Sequence, residues 1–208
     1  MDIAQKYVEG LKQAYYSNNG GKDWEEFEET IHGAGKADIE RLRAKFPDVP
    51  DSLVQLLEFV DGTYWRDYGG KEIAFFFLGS DLEEYPYYLL SVEQMLGDTG
   101  REMDWLWDYI DRVYEDLDVE IDGKIIDDSR KMHWLHFSDC MNNGGSSQLF
   151  LDFSPSPTGT KGQVVRYLHD PDEVEVIAES FDAYLGMVME RGYDFIDEED
   201  MEEDEEEG

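Results

Sequence analysis

One cysteine, Cys140, stands in 208 residues, so no intramolecular disulfide can form and a reducing compartment is the simpler setting. Basic residues are scarce: 17 Lys and Arg face 51 Asp and Glu, a net charge of −34. Such a surface repels phosphate backbones and anionic lipid headgroups, which argues against nucleic acid or membrane as a partner. Long apolar runs are missing too. The longest windows, such as 73–78, fall far short of the roughly 20 residues that a membrane span needs. The stretch from Met1 to Tyr7 puts no basic region ahead of an apolar one, so no signal peptide is expected and a cytoplasmic location is.

What is present is enough to fold. Hydrophobic residues make up 41% of the chain and aromatics 14%, ample for one sizeable core. Ten acids crowd into 197–207, yet without them 41 acids against 17 bases remain, so the folded body is acidic in its own right at −24. We expect a single domain over 1–193 and an acidic tail over 194–208 with too little apolar surface to order itself.

The first half reads as helices. Ile3, Tyr7, Val8, Leu11 and Tyr15 recur at helical spacing, and the Asn-Gly cluster 17–21 ends that pattern. Asp23 with Glu26 looks like a capping box opening a second helix along Trp24, Phe27 and Ile31. Ile39, Leu42 and Phe46 predict a third, stopped by Pro47. A fourth opens at Pro50 or Asp51, with so many apolar positions that it should be central to the core. After Asp61-Gly62 the run 73–78 is continuous rather than alternating, as expected of a strand covered on both faces. Residues 85–90 suggest another strand, and Ser91 with Gln94 caps a short helix that Gly97 ends. A longer helix over 101–117, with Trp105, Tyr109, Arg112 and Val113 at spacings of three and four, makes 97–131 a possible helical insertion.

The stretch 134–185 carries the most information. Apolar runs 134–137, 149–153, 163–168 and 174–178 have strand length, and Asn143-Gly144, the Pro/Gly loop 154–162 and Asp170-Pro171-Asp172 supply the turns between them. A helical pattern opens at Ser180. The expectation is an α+β fold with a mixed, mostly antiparallel sheet and a C-terminal four-strand meander. N-terminal, inserted and C-terminal helices pack on it.

WLHF at 134–137, Gly145 ahead of Leu149-Phe150-Leu151-Asp152, the loop 154–162, QVVRYLHD at 163–170 and ESFDAYL at 179–185 resemble the SUKH superfamily. Phe46-Pro47-Asp48-Val49-Pro50-Asp51-Ser52-Leu53, with Asp61-Gly62 closing the helix that follows, is similar to that family's entry segment. The group includes Smi/Knr-type regulators of yeast cell-wall synthesis and many bacterial immunity proteins. The resemblance implies a non-catalytic role without a cofactor: direct association with a toxin, often a nuclease, or scaffolding in a regulatory pathway.

Candidate chemistry is thin. His133, His136, Asp139 and Cys140 could be drawn as a metal site, but histidines an odd number apart on a strand face opposite ways, and no second ligand pair exists. Glu83-Glu84 beside Tyr85 could pass for a glycosidase acid next to a sugar-stacking ring. With 51 acids and 29 aromatic residues such adjacency is expected by chance. Ser138 or Ser147 with His169 and Asp170 lacks a nucleophile elbow, and 144–147 is a turn without the Lys-Ser/Thr of a phosphate loop. No enzyme signature or metal site is read, and a hydrolase is the rival class.

Rings set among acids are more informative. Asp61, Trp65, Tyr68, Glu83, Glu84, Tyr85 and Tyr87 are the candidate partner-binding residues, with aromatic anchors for buried area and carboxylates for selectivity toward a basic, toxin-like protein. Packing of most of these rings into the core is the alternative, and slightly the favoured one. The loop 154–162 is a candidate second contact surface. The acidic tail would mimic nucleic acid, shield positive patches of the protein itself, or simply aid solubility.

Overall fold

The computed structural model describes residues 2–83, 85–97, 104–113, 119–141, 147–169 and 172–196, with backbone alone at 104, 105 and 109. Glu84, residues 142–146, Asp170-Pro171, 197–208 and, of the helix expected over 101–117, residues 101–103 and 114–117 lie outside the described residues.

Helix α1 (Ile3–Ser17) starts where the Asp2 carboxylate accepts the Gln5 N–H, and buries Ala4, Tyr7, Leu11 and Tyr15 along one face. Helix α2 (Gly21–Thr30) begins two residues before Asp23, so the expected capping box does not form; Gly20 takes the cap position with no side-chain bond. Helix α3 (Lys36–Lys45) yields at Phe46 ahead of Pro47. Helix α4 (Asp51–Phe59) follows Pro50 and buries Ser52, Leu53, Val54, Leu56 and Leu57, which places it at the centre of the core as its composition predicts.

Gly62 then turns the chain at φ 89°, and a Cβ there would lie 2.5 Å from the Ser91 backbone nitrogen, so only glycine fits. Ser91 and Gln94 form a reciprocal capping box on the short α5 (Val92–Met95), as read from the sequence.

The run 73–78 departs from expectation. The two-residue β1 (Arg66–Asp67) and β2 (Glu72–Ile73) pair as an antiparallel hairpin, and at the far end of the run Leu78 forms a single antiparallel bridge with Tyr87. Beyond Ile73 the buried backbone finds other partners. Tyr15 donates its hydroxyl to the Phe76 carbonyl and Tyr184 to that of Gly79, each at 2.7 Å. Tyrosine hydroxyls, together with a few backbone bonds to Thr63 and Tyr87, therefore take the place of a continuous strand ladder.

The main sheet has the order β3-β5-β6-β7-β8-β4. Its middle is the predicted meander: β5 (Trp134–Cys140), β6 (Ser147–Asp152), β7 (Gln163–Leu168) and β8 (Glu173–Ala178), each antiparallel to the next. Strand β3 (Tyr87–Leu89) adds antiparallel to β5, and β4 (Glu120–Ile121) adds parallel to β8, so the sheet is mixed and mostly antiparallel. Both edge strands are very short, which limits edge-to-edge pairing. Helix α7 (Phe181–Glu190) is capped by Ser180 and packs beside β8.

All six residues of β6 are buried because the sheet is covered twice. Leu149 and Leu151 join α1, α4 and α7 in the larger core. Phe150, Val165 and Tyr167 face a second cluster closed by Ile125, Val119 and helix α6 (Asp104–Ile110). Leu106 and Ile110 of α6 are fully buried, whereas Arg112 and Val113, read from the sequence as part of the same helix, follow its end and are exposed. Helix α6 with Val119 and Ile125 thus contributes the third layer. At the other end, Phe195 and Ile196 are buried, so the folded body runs past 193 and through Ile196. Among the described residues no helix is long and apolar enough to cross a membrane.

Candidate partner-binding surface

The loop after α4 is braced from inside. The Asp61 carboxylate accepts the Arg66 guanidinium at 2.9 Å and the Val92 N–H at 3.0 Å, and Arg66 also reaches Glu93 at 2.9 Å. Tyr68 is buried and donates to the Gly62 carbonyl at 2.7 Å; burial, with Asp61 nearby, raises its hydroxyl pKa. Tyr87 is fully buried, its hydroxyl 2.6 Å from the Ser147 hydroxyl, and burial raises its pKa likewise. Asp61, Tyr68 and Tyr87 are therefore internal fixtures. Glu83 is exposed, and Tyr85 is half-buried with its ring edge-on to Tyr87.

Trp65 behaves differently. It is 58% exposed and holds φ at 48°, a left-handed backbone that a bulky residue rarely adopts. The β1–β2 hairpin, with Gly69 and Gly70 at positive φ in its turn, projects from this point. Trp65 lines a cleft of ≈ 360 Å³ between the hairpin and α2, and neither Glu83 nor Tyr85 lies in it. Phe75 builds the floor, stacked on Phe27 at 3.8 Å and on Tyr15 at 4.6 Å. Asp23, Glu26 and Glu72 supply carboxylates, and Lys71 lies 3.8 Å from Glu26.

Of the cleft's residues, the sequence reading singled out Trp65 as a binding residue. It took Asp23 and Glu26 for a helix cap. Their i, i+3 spacing on an amphipathic helix also places both on one solvated side, which was the available signal.

The other candidate chemistries resolve into ordinary contacts. His133 stacks on Phe46 in the larger core, whereas His136 lies on Phe150 of the second, so the two face opposite sides of the sheet. Among the described residues no group of three His, Cys, Asp or Glu side chains is placed to hold a metal ion. Ser138 donates to the Tyr88 carbonyl and Ser147 to that of Tyr167, while His169 lies 2.6 Å from Asp172. The loop 154–162 is knitted onto the turn beneath it: Ser156 and Thr158 both donate to the Gly123 carbonyl.

One charged cluster escaped the sequence reading altogether. Arg166 is 2% exposed, bonded bidentately to Asp81 at 2.7 and 3.0 Å, with Glu173 at 2.7 Å and Glu175 at 3.5 Å. Arg191 bonds the Asp81 carbonyl and Asp194, so this network ties β7 and β8 to the 79–83 loop and the C-terminal turn. It is internal bracing.

Fold and surface together define an α+β protein with a carboxylate-rimmed aromatic cleft. The sequence profile of the SMI1 / KNR4 family (SUKH-1) matches residues 33–187, three quarters of the chain, and the protein belongs to that family. This is a family of immunity proteins and Knr4-like regulators, generally non-catalytic. No curated protein matches the chain. Helices α1 and α2, and everything after 187, fall outside the matched region.

Proposed function

We propose that this protein is an immunity protein that neutralises a basic, nuclease-like toxin by direct association in the cytoplasm, without catalysing any reaction. The observation that carries this reading is Trp65, an exposed ring on a left-handed backbone beside a carboxylate-rimmed cleft. Exposed aromatic anchors supply affinity at interfaces, and surrounding carboxylates select a cationic partner and speed its encounter. The folded body's own negative charge acts in the same direction, and family membership supports a protein partner.

The test is a pull-down from the native host with tagged full-length protein at low and at high salt, followed by assay of what is captured. A single basic protein, retained at low salt and weakened at high salt, whose toxic activity is blocked at one-to-one stoichiometry, is the expected result. Recovery of many signalling proteins regardless of salt favours a regulatory scaffold like the fungal members. Turnover of a cationic or sugar substrate by the purified chain favours a hydrolase.

A further inference from the structure

We infer that the cleft between α2 and the β1–β2 hairpin is the element by which this chain chooses its partner, and that it receives an arginine side chain. The guanidinium lies over the Trp65 ring and against the carboxylates of Asp23 and Glu26. This inference rests on the basic-partner reading above and adds a place and a chemistry to it.

The cleft has two sources. Trp65, Glu72 and Tyr88 belong to the family-matched region, whereas Asp23, Glu26 and Phe27 come from α2, which precedes it. The α2 wall lies outside the family-matched region, so the cleft combines a family element with one that the family match does not cover, and in this inference selectivity is set where the two meet. The wall is also preorganised: Phe75 is sandwiched by Phe27 at 3.8 Å and Tyr15 at 4.6 Å, so little ordering is left for binding to impose.

Charge specifies the occupant. The lining carries three carboxylates, Asp23, Glu26 and Glu72, against the one ammonium of Lys71, a local balance of −2. Lys71 shows that the cleft accepts a cation, yet it holds on weakly: 3.8 Å from Glu26, with the two side chains 53% and 60% exposed. An exposed pair of this kind contributes little, so an incoming cation displaces it readily. A guanidinium suits the site better than an ammonium because it stacks flat on an indole and bonds a carboxylate through two parallel N–H groups.

The experiment titrates the isotope-labelled full-length protein, at low ionic strength, with a capped Gly/Arg peptide and with the same peptide carrying citrulline for arginine. The Trp65 indole N–H and the amides of Glu26 and Glu72 should shift saturably with the arginine peptide, and citrulline should weaken binding about tenfold. Trp65→Ala and Glu26→Gln should each weaken it about fivefold, and Lys71→Gln should tighten it about threefold. These side chains are exposed, so unchanged amide spectra elsewhere will show that the variants fold. No saturable shift, shifts confined to other surfaces, or equal affinity in Trp65→Ala overturns the cleft assignment. A basic protein captured from the host and bound equally well by wild type and Trp65→Ala also overturns the cleft, but leaves the basic-partner reading standing. Failure of the wild-type chain to capture any basic protein removes that reading itself.

Discussion

Tyr7, in the first helix, donates its hydroxyl proton to the Phe77 carbonyl oxygen at 2.8 Å, and both residues are fully buried. The bond joins positions 70 residues apart and fastens α1 to a stretch of backbone that hydrogen-bonds to β3 only through Tyr87. Tyr193 then donates to the Tyr7 carbonyl at 2.9 Å, with its ring edge-on at 5.4 Å, so the C-terminal turn locks the same helix. Replacing Tyr7 by Phe keeps the ring but orphans a buried carbonyl, which costs about 1–3 kcal/mol. Urea unfolding should show a lower midpoint with an unchanged slope; an unchanged midpoint would mean that water replaces the hydroxyl.

The same tyrosines make the fold sensitive to alkali. Burial raises the Tyr7 pKa well above its ordinary value, with Tyr184, Tyr193 and Tyr15 nearby adding to the effect; Tyr184 is raised by burial and by Tyr87 and Asp81; Tyr193 is pushed up to about 12 by burial. Below pH ~10 these protons stay on in both the folded and unfolded states, and stability is at its full value. Above it the unfolded chain ionises while the folded chain does not, so each such tyrosine removes about 1.4 kcal/mol per pH unit until its own folded pKa is reached. Tyrosinate absorbance should therefore lag above pH ~10 and then rise together with loss of the far-ultraviolet dichroism signal. Smooth ionisation of all 13 tyrosines at an ordinary pKa with the fold intact would contradict the hydrogen-bond assignment.

The third layer should be essential to the sheet. Leu106 of α6 is fully buried against the second face, in a cluster with Phe150, Val165 and Tyr167. Leu106→Ala should cost about 3 kcal/mol, the usual range for a large-to-small change in a packed core. A loss below about 1 kcal/mol would mean that α6 rests loosely on the sheet rather than closing it.

The contrast between that layer and the meander shows what the sequence made legible. Strands β5 to β8 could be read because each run has strand length and each break carries turn chemistry, and the family profile covers the same residues. The inner face of α6 could not. Trp105, Tyr109 and Val113 repeat at four-residue spacing, but so do Leu106 and Ile110 one step round the helix, and spacing alone does not choose between adjacent stripes. The run 73–78 misled for another reason: the carbonyls of Phe76 and Phe77 are satisfied by tyrosines 61 and 70 residues away, a relation with no local signature. At the candidate site, acids beside rings described Asp61, Tyr68 and Trp65 alike, whereas their burial is set by which way the loop turns after Gly62.

Trp65 offers the sharpest separation of stability from recognition. In ordinary helix or strand positions glycine is worse than alanine by about 0.5–1 kcal/mol, because it gives up more conformational freedom on folding. At φ 48° the order should invert. Alanine in the left-handed region costs roughly 1–2 kcal/mol from its Cβ, a cost that glycine does not carry. Trp65→Gly should therefore be more stable than Trp65→Ala by about 1 kcal/mol, even though both lose the same indole. Both should lose the same affinity for the arginine peptide, since that affinity comes from the ring and not from the backbone. Urea midpoints and the peptide titration, run side by side on the two variants, separate these effects. An alanine variant more stable than the glycine variant would show that the backbone at 65 is not held left-handed. A glycine variant more stable than the wild type would show that the exposed ring is kept at the expense of the fold, which is the signature of a residue retained for binding.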